Sequence, residues 1–128
     1  GTLPMELGGL SALDEFSMVG NSLIGTLPTE LSRWTRITRI YVQGNRLSGT
    51  LPTEFGKWTS LKESSIIGNN VVGTFPTELG QLSLLQSLEI NDNSLTGTLP
   101  TELGKMTALT WLSLTNNSLT GSLPTVLG

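Results

Sequence analysis

Leu109-x-x-Leu112-x-Leu114-x-x-Asn117-x-Leu119 is one instance of a hydrophobic pattern that runs through the chain. Leu85, Leu88, Ile90, Asn93 and Leu95 repeat it one unit earlier, and Ile37, Ile40, Val42, Asn45 and Leu47 two units before that. The centre of each segment alternates apolar and polar, which predicts a half-buried strand. Such a strand is too short to stand alone, so successive strands must stack to bury it. Strands are expected near 15–18, 39–42, 63–66, 87–90 and 111–114. Glycine, proline and asparagine keep the same period. Gly1, Gly25, Gly49, Gly73, Gly97 and Gly121 are 24 residues apart, as are all six prolines, Pro4 to Pro124, and Asn21, Asn45, Asn69, Asn93 and Asn117. The chain therefore divides into five repeats, 1–24, 25–48, 49–72, 73–96 and 97–120, with a partial repeat at 121–128. A fixed period of this length signals a solenoid-type array.

The pattern resembles the leucine-rich repeat. The continuation Leu95-Thr96-Gly97-Thr98-Leu99-Pro100, followed by Glu102-Leu103-Gly104, is similar to the plant-type subclass, and Gly-Thr-Leu-Pro-Thr-Glu-Leu-Gly also resembles repeat proteins of microalgae. The resemblance implies an α/β solenoid: a right-handed superhelix, one parallel β-sheet on the concave face, and short 3₁₀ or irregular segments on the convex side. It also implies a structural role for the Asn column and an extracellular or cell-surface location, since the subclass forms ectodomains of receptor-like kinases and wall-enzyme inhibitor proteins. Plant-type ectodomains usually carry cysteine-paired caps, which are absent here, so a stretch of a longer protein is expected.

Each column has a physical reading. The Leu, Ile, Val, Phe and Met columns are core, and truncating Leu88 or Leu112 to Ala should cost roughly 2–5 kcal/mol. A buried Asn amide can satisfy turn groups that no ladder reaches. Gly followed by Pro sets the bend out of the strand. Gly8, Gly56, Gly80 and Gly104 are expected to end one turn of 3₁₀ or α-helix, with Ser32 once in their place. Glu6, Glu30, Glu54, Glu78 and Glu102 form a like-charged column. Arg33, Lys57 and Lys105 stand three residues on, at surface-pairing distance. Ser64 occupies the column of Phe16, Ile40, Leu88 and Leu112 and should hydrogen-bond to backbone or border a small void. Thr2, Thr26, Thr50, Thr74 and Thr98 form an exposed ladder, the basis of an alternative reading: a structural or surface-active repeat, ice binding included.

The strand positions that point away from the core vary from repeat to repeat. They include the candidate partner-binding residues Glu15, Val19, Arg39, Tyr41, Gln43, Glu63, Ile67, Glu89, Asn91, Trp111 and Thr115. From strand geometry, Tyr41 lies ~8 Å from Val19 and Ile67, making one apolar patch, and Trp111 belongs to a second area near Glu89. Glu15, Arg39 and Glu63 alternate in sign along one column, so cross-strand pairing should hold Arg39 over the sheet. The resemblance implies a non-enzymatic module that binds a protein, peptide or glycan on this concave face.

Composition removes other chemistries. The chain of 128 residues has no Cys and no His, which excludes disulfides, Ser–His nucleophiles and the usual zinc sites. Its net charge of −3 argues against nucleic acid. No apolar run approaches the ~18 residues of a membrane helix, so no direct membrane insertion is expected. Glu63 and Glu89 could lie within ~10 Å, a separation compatible with an inverting glycosidase, but an open solenoid face encloses no substrate. Glu89, Asn91, Asp92 and Asn116 do not build a dense oxygen cage for Ca²⁺. No enzyme activity, cofactor or metal is therefore expected. Asn116-Asn117-Ser118 is the one glycosylation sequon, which makes Asn116 the candidate modification site.

Overall fold

The computed structural model describes residues 1–123. The remainder of the partial repeat, with Pro124, lies outside the described residues. Ten short strands alternate along the chain: β1 Glu15–Ser17, β2 Ile24–Thr26, β3 Arg39–Tyr41, β4 Arg46–Ser48, β5 Glu63–Ser65, β6 Val72–Gly73, β7 Ser87–Glu89, β8 Ser94–Gly97, β9 Trp111–Ser113 and β10 Ser118–Leu119. The odd-numbered strands form one five-stranded parallel sheet in the order β1-β3-β5-β7-β9. Its register steps by one repeat: Phe16 opposes Ile40, Ile40 opposes Ser64, Ser64 opposes Leu88, and Leu88 opposes Leu112. Each strand thus returns to the same sheet after one full coil. Parallel crossovers of this kind are right-handed, and so is the superhelix.

The even-numbered strands make a second parallel set that the hydrophobic pattern did not announce. β2 pairs with β4, and β6, β8 and β10 pair in turn, with bridges Thr2–Ile24 and Thr50–Val72 continuing the rows. The Asn column explains how the chain reaches this second pairing. Asn69 Oδ1 accepts the Leu47 N–H at 3.0 Å, while its Nδ2 donates to the carbonyls of Val42 and Ile66, both at 3.1 Å. Asn45, Asn93 and Asn117 repeat these bonds in their own coils. Each amide ties the turn after one concave strand to the coil before it.

On the convex side each repeat forms one short 3₁₀ helix: Met5–Gly9, Thr29–Arg33, Thr53–Lys57, Thr77–Gln81 and Thr101–Lys105. Gly56, Gly80 and Gly104 lie inside these helices and do not end them, which corrects the terminating role expected of that column. The requirement at Gly56 is close approach. A Cβ there would sit 2.6 Å from the Glu78 carbonyl oxygen of the next coil. The Glu column also departs from expectation. Among the described residues the one ion pair is Arg39–Glu15, on the opposite sheet, so Arg33, Lys57 and Lys105 pair with none of these carboxylates. Solvated ions at a surface gain little by holding one geometry.

The core runs the length of the coil and is aromatic towards its start. Phe16 and Trp34 lie 4.9 Å apart, Trp34 and Trp58 6.4 Å, and Phe55 and Trp58 3.8 Å between ring centroids. The indole N–H groups of Trp34 and Trp58 donate to the Leu7 and Leu31 carbonyls of the preceding coil, each at 2.9 Å. Ser64 is buried in the apolar column. It borders a void of about 20 Å³ lined by Leu51, Phe55, Trp58 and Leu85, the second of its two expected outcomes.

Candidate functional site on the concave sheet

Alternation along β1, β3, β5, β7 and β9 turns the odd-numbered residues away from the core. Backbone bonds extend the same ladder one step past the strands: Gly20 N–H to Gln43, Gly44 to Ile67, Gly68 to Asn91 and Asp92 to Thr115. Three outward columns result. The first holds Glu15, Arg39, Glu63, Ser87 and Trp111; the second Ser17, Tyr41, Ser65, Glu89 and Ser113; the third Val19, Gln43, Ile67, Asn91 and Thr115. Exposure falls towards the middle of this array. Val19 and Trp111 at its edges are exposed, while Ser65 at its centre is 3% exposed.

The polar side chains pair diagonally. The Tyr41 hydroxyl donates to Glu63 Oε2, and the Trp111 indole N–H donates to Glu89 Oε2 at 3.4 Å. Both contacts span 22 residues, one repeat less one alternation. Arg39 reaches Glu15 at 3.7 Å but not Glu63. The expected Glu15–Arg39–Glu63 ladder is therefore half formed, because Tyr41 takes the second carboxylate. The hydrogen bond to Glu63, together with partial burial, pushes the Tyr41 phenol up to about 12. Tyr41 is thus a neutral donor throughout the physiological range.

Gln43, Ile67 and Asn91 are half-buried neighbours, whereas Val19 and Thr115 stand exposed at opposite ends of their column. Ser65 was legible as an outward residue but carried no sign of its burial. The signal for the Tyr41–Glu63 and Trp111–Glu89 pairs was the diagonal of the repeat lattice. Asn116 lies off the concave sheet, in the turn position that Gly20, Gly44 and Gly68 fill in earlier repeats. It and Asp92 adopt φ of 55° and 57° there. Asn116 is exposed, and its Nδ2 donates to Asp92 Oδ1 at 2.6 Å.

Among the described residues, no group of three or more acidic side chains is arranged to hold a metal ion. No helix among the described residues is long and apolar enough to cross a membrane. Open hollows of about 540 and 280 Å³ lie at the last repeat, away from the centre of the sheet; Leu99, Leu112 and Leu119 line the first, and Leu103, Met106 and Trp111 the second.

A family model described as Leucine Rich Repeat matches residues 36–58, 84–106 and 108–128. No curated protein sequence matches the chain. Solved structures do. The plant peptide hormone receptor RGFR1 in complex with RGF2 aligns with a TM-score of 0.97 at 36% identity, covering 98% of this chain and 20% of that one. The ectodomain of the Arabidopsis thaliana membrane receptor kinase GASSHO1/SCHENGEN3, in complex with Casparian strip integrity factor 2, aligns at 0.93 and 37%, covering 98% and 15%. A plant ice-binding protein aligns at 0.88 and 27%, covering 98% and 41%. The chain therefore spans a fifth or less of the length of those two receptors.

Proposed function

We propose that this chain, which belongs to the leucine-rich repeat family, is the recognition surface of an extracellular receptor-like protein and binds a peptide along its concave sheet. The module is non-enzymatic. The observation that carries the reading is the outward array itself: Tyr41, Trp111 and Arg39 stand on a rigid sheet, each held by a carboxylate neighbour. Aromatic and Arg side chains on a pre-ordered surface are the usual anchors of an interface. The similarity to a peptide hormone receptor and to a receptor-kinase ectodomain, each solved in complex with its partner, supports a recognition role and an extracellular setting. Glu15, Val19, Gln43, Ile67, Asn91 and Thr115 complete the proposed contact surface. Asn116, exposed beside it, is the proposed glycan carrier; a mass decrease of the secreted protein on enzymatic deglycosylation checks that assignment.

Peptides selected from a random library on the folded chain test the reading. Tyr41→Ala and Trp111→Ala should each weaken their binding without lowering the melting temperature appreciably. Wild-type binding by both, with loss on changing the convex Glu column, would place the surface on the wrong face. A second reading, binding to ice, draws on one specific observation. Thr2, Thr26, Thr50, Thr74 and Thr98 are all exposed in one row beside the second set of strands. Absence of any effect on ice recrystallisation would remove it.

A further inference from the structure

The centre of the concave sheet has unmet hydrogen-bonding capacity. Among the described residues, Gln43 Oε1, Ser65 Oγ and Asn91 Oδ1 are buried with no partner. Such groups are costly to leave unpaired in a folded chain. Ser65 lies in register between Tyr41 and Glu89, and Gln43 and Asn91 flank Ile67 one step further along the ladder. Two carboxylates border the same patch. Glu63 and Glu89 each use Oε2 to hold an aromatic side chain, and no bond to either Oε1 occurs among the described residues. Arg39 is the one basic side chain in the outward columns, and it turns to Glu15. The patch therefore presents acceptors and negative charge, with its one neighbouring cation, Arg39, engaged by Glu15.

We propose that this patch, centred on Ser65 between Glu63 and Glu89, is a subsite for the guanidinium of an arginine in an extended peptide partner. The inference rests on the recognition reading above and names the partner's chemistry. A guanidinium brings five N–H donors and a permanent charge. It satisfies a free carboxylate oxygen and the Ser65 hydroxyl together, and its plane can stack against the rings of Tyr41 or Trp111. Gln43 and Asn91 stand two strands apart, ~10 Å by strand spacing, too far for one guanidinium to span. Their oxygens are left for backbone N–H groups of the peptide on either side. That division of labour favours a peptide over a free polyamine.

Calorimetry on the 128-residue chain tests it with three probes: an acetylated and amidated glycine-serine heptapeptide with one central arginine, the same peptide with citrulline, and spermidine. The arginine peptide should bind about tenfold more tightly than the citrulline peptide, a loss typical of removing a charge-assisted hydrogen bond. Glu63→Gln and Glu89→Gln should each weaken it by about tenfold. Glu54→Gln on the convex side should change nothing, and unaltered melting temperatures confirm that the variants are folded. Bound arginine should also lower the pH at which the single tyrosine ionises. Equal binding of the citrulline peptide, or equal loss with Glu54→Gln, would overturn the inference, and spermidine binding as tightly as the peptide would overturn the peptide as the source of the cation. If the arginine peptide fails while library-selected peptides without basic residues are lost on Tyr41→Ala, this inference falls and concave recognition stands. If no selected peptide depends on a concave residue, recognition itself falls.

Discussion

Asn69→Ala removes an amide that serves four backbone groups, yet the structure assigns its cost mainly to one of them; the Ile67 carbonyl, at 3.3 Å, also accepts from the Gly44 N–H. The Val42 carbonyl accepts from Asn69 at 3.1 Å and also from Asn45 at 2.9 Å. The Ile66 carbonyl accepts from Asn69 at 3.1 Å and also from Asn93 at 2.9 Å. Both keep a donor when Asn69 is lost. The Leu47 N–H does not, and Leu47 is fully buried. One orphaned buried donor costs about 1–3 kcal/mol, and the small cavity brings the total to about 2–4 kcal/mol. Asn21→Ala should cost no more than about 0.5 kcal/mol, an exposed-site value. Its amide makes one exposed bond, to the Val19 carbonyl at 3.2 Å. The doubly served carbonyls add a sharper expectation. Asn45→Ala with Asn69→Ala strips Val42 of both side-chain donors, so the pair should exceed the sum of its singles by about 1 kcal/mol. Asn45→Ala with Asn117→Ala, three coils apart, should add to within about 0.5 kcal/mol. Urea unfolding of the six variants, four single and two double, and of the parent measures all of this. Equal costs at Asn21 and Asn69, or strict additivity of the adjacent pair, would refute the bond-sharing argument.

Because the chain has one tyrosine, phenol absorbance reports Tyr41 alone. Its midpoint should lie near 12, raised first by the Glu63 hydrogen bond, and Glu63→Gln should return it towards 10. Since the folded value is the higher one, the stabilisation is whole below pH 10 and is lost as the pH rises through 12; an unmoved midpoint in Glu63→Gln would remove the bond. Gly56→Ala should destabilise by about 1–3 kcal/mol through the clash with the Glu78 carbonyl. Gly9→Ala, with nothing within 4 Å, should be neutral in the same melts. Ser64→Val should raise the melting temperature by filling the void of about 20 Å³, whereas Ser64→Leu should gain less or lose; a drop for Val would mean the neighbours already fill the site.

The concave strands were legible because each alternates long enough to show a period of two. The second strand set was not. None of its strands has a second apolar core residue two positions from a buried one, so no period of two shows, and they form where the Asn amides place the backbone. The glycines inside the 3₁₀ helices were misread for a related reason. A terminating glycine and a close-packed one look alike in sequence, and only the next coil, 2.6 Å from a Cβ at Gly56, distinguishes them. At the site, lattice arithmetic sufficed to place Tyr41, Glu63, Glu89 and Trp111 on one face. It did not decide which neighbours touch. Glu63 has Arg39 directly across from it and Tyr41 on the diagonal, and side-chain rotamers choose between them.

The repeats themselves separate what folding demands from what it leaves free. In the second outward column three of the five positions are serine: Ser17, Ser65 and Ser113. The sheet pairs through all three, so nothing in the strand geometry requires the phenol of Tyr41 or the carboxylate of Glu89 in the other two. The first column argues likewise, since Ser87 holds the register that Arg39, Glu63 and Trp111 hold elsewhere. By contrast the Asn amides and the buried indoles bond between coils and cannot be exchanged for serine without orphaning backbone groups. Large polar and aromatic side chains thus occur where the fold would accept small ones, and they are paired with one another across the strands. That pairing fixes their rotamers before any partner arrives, which lowers the ordering cost of binding. A sheet that merely needed covering would have no use for such fixed geometry, and this is the physical ground on which recognition is proposed for the concave face.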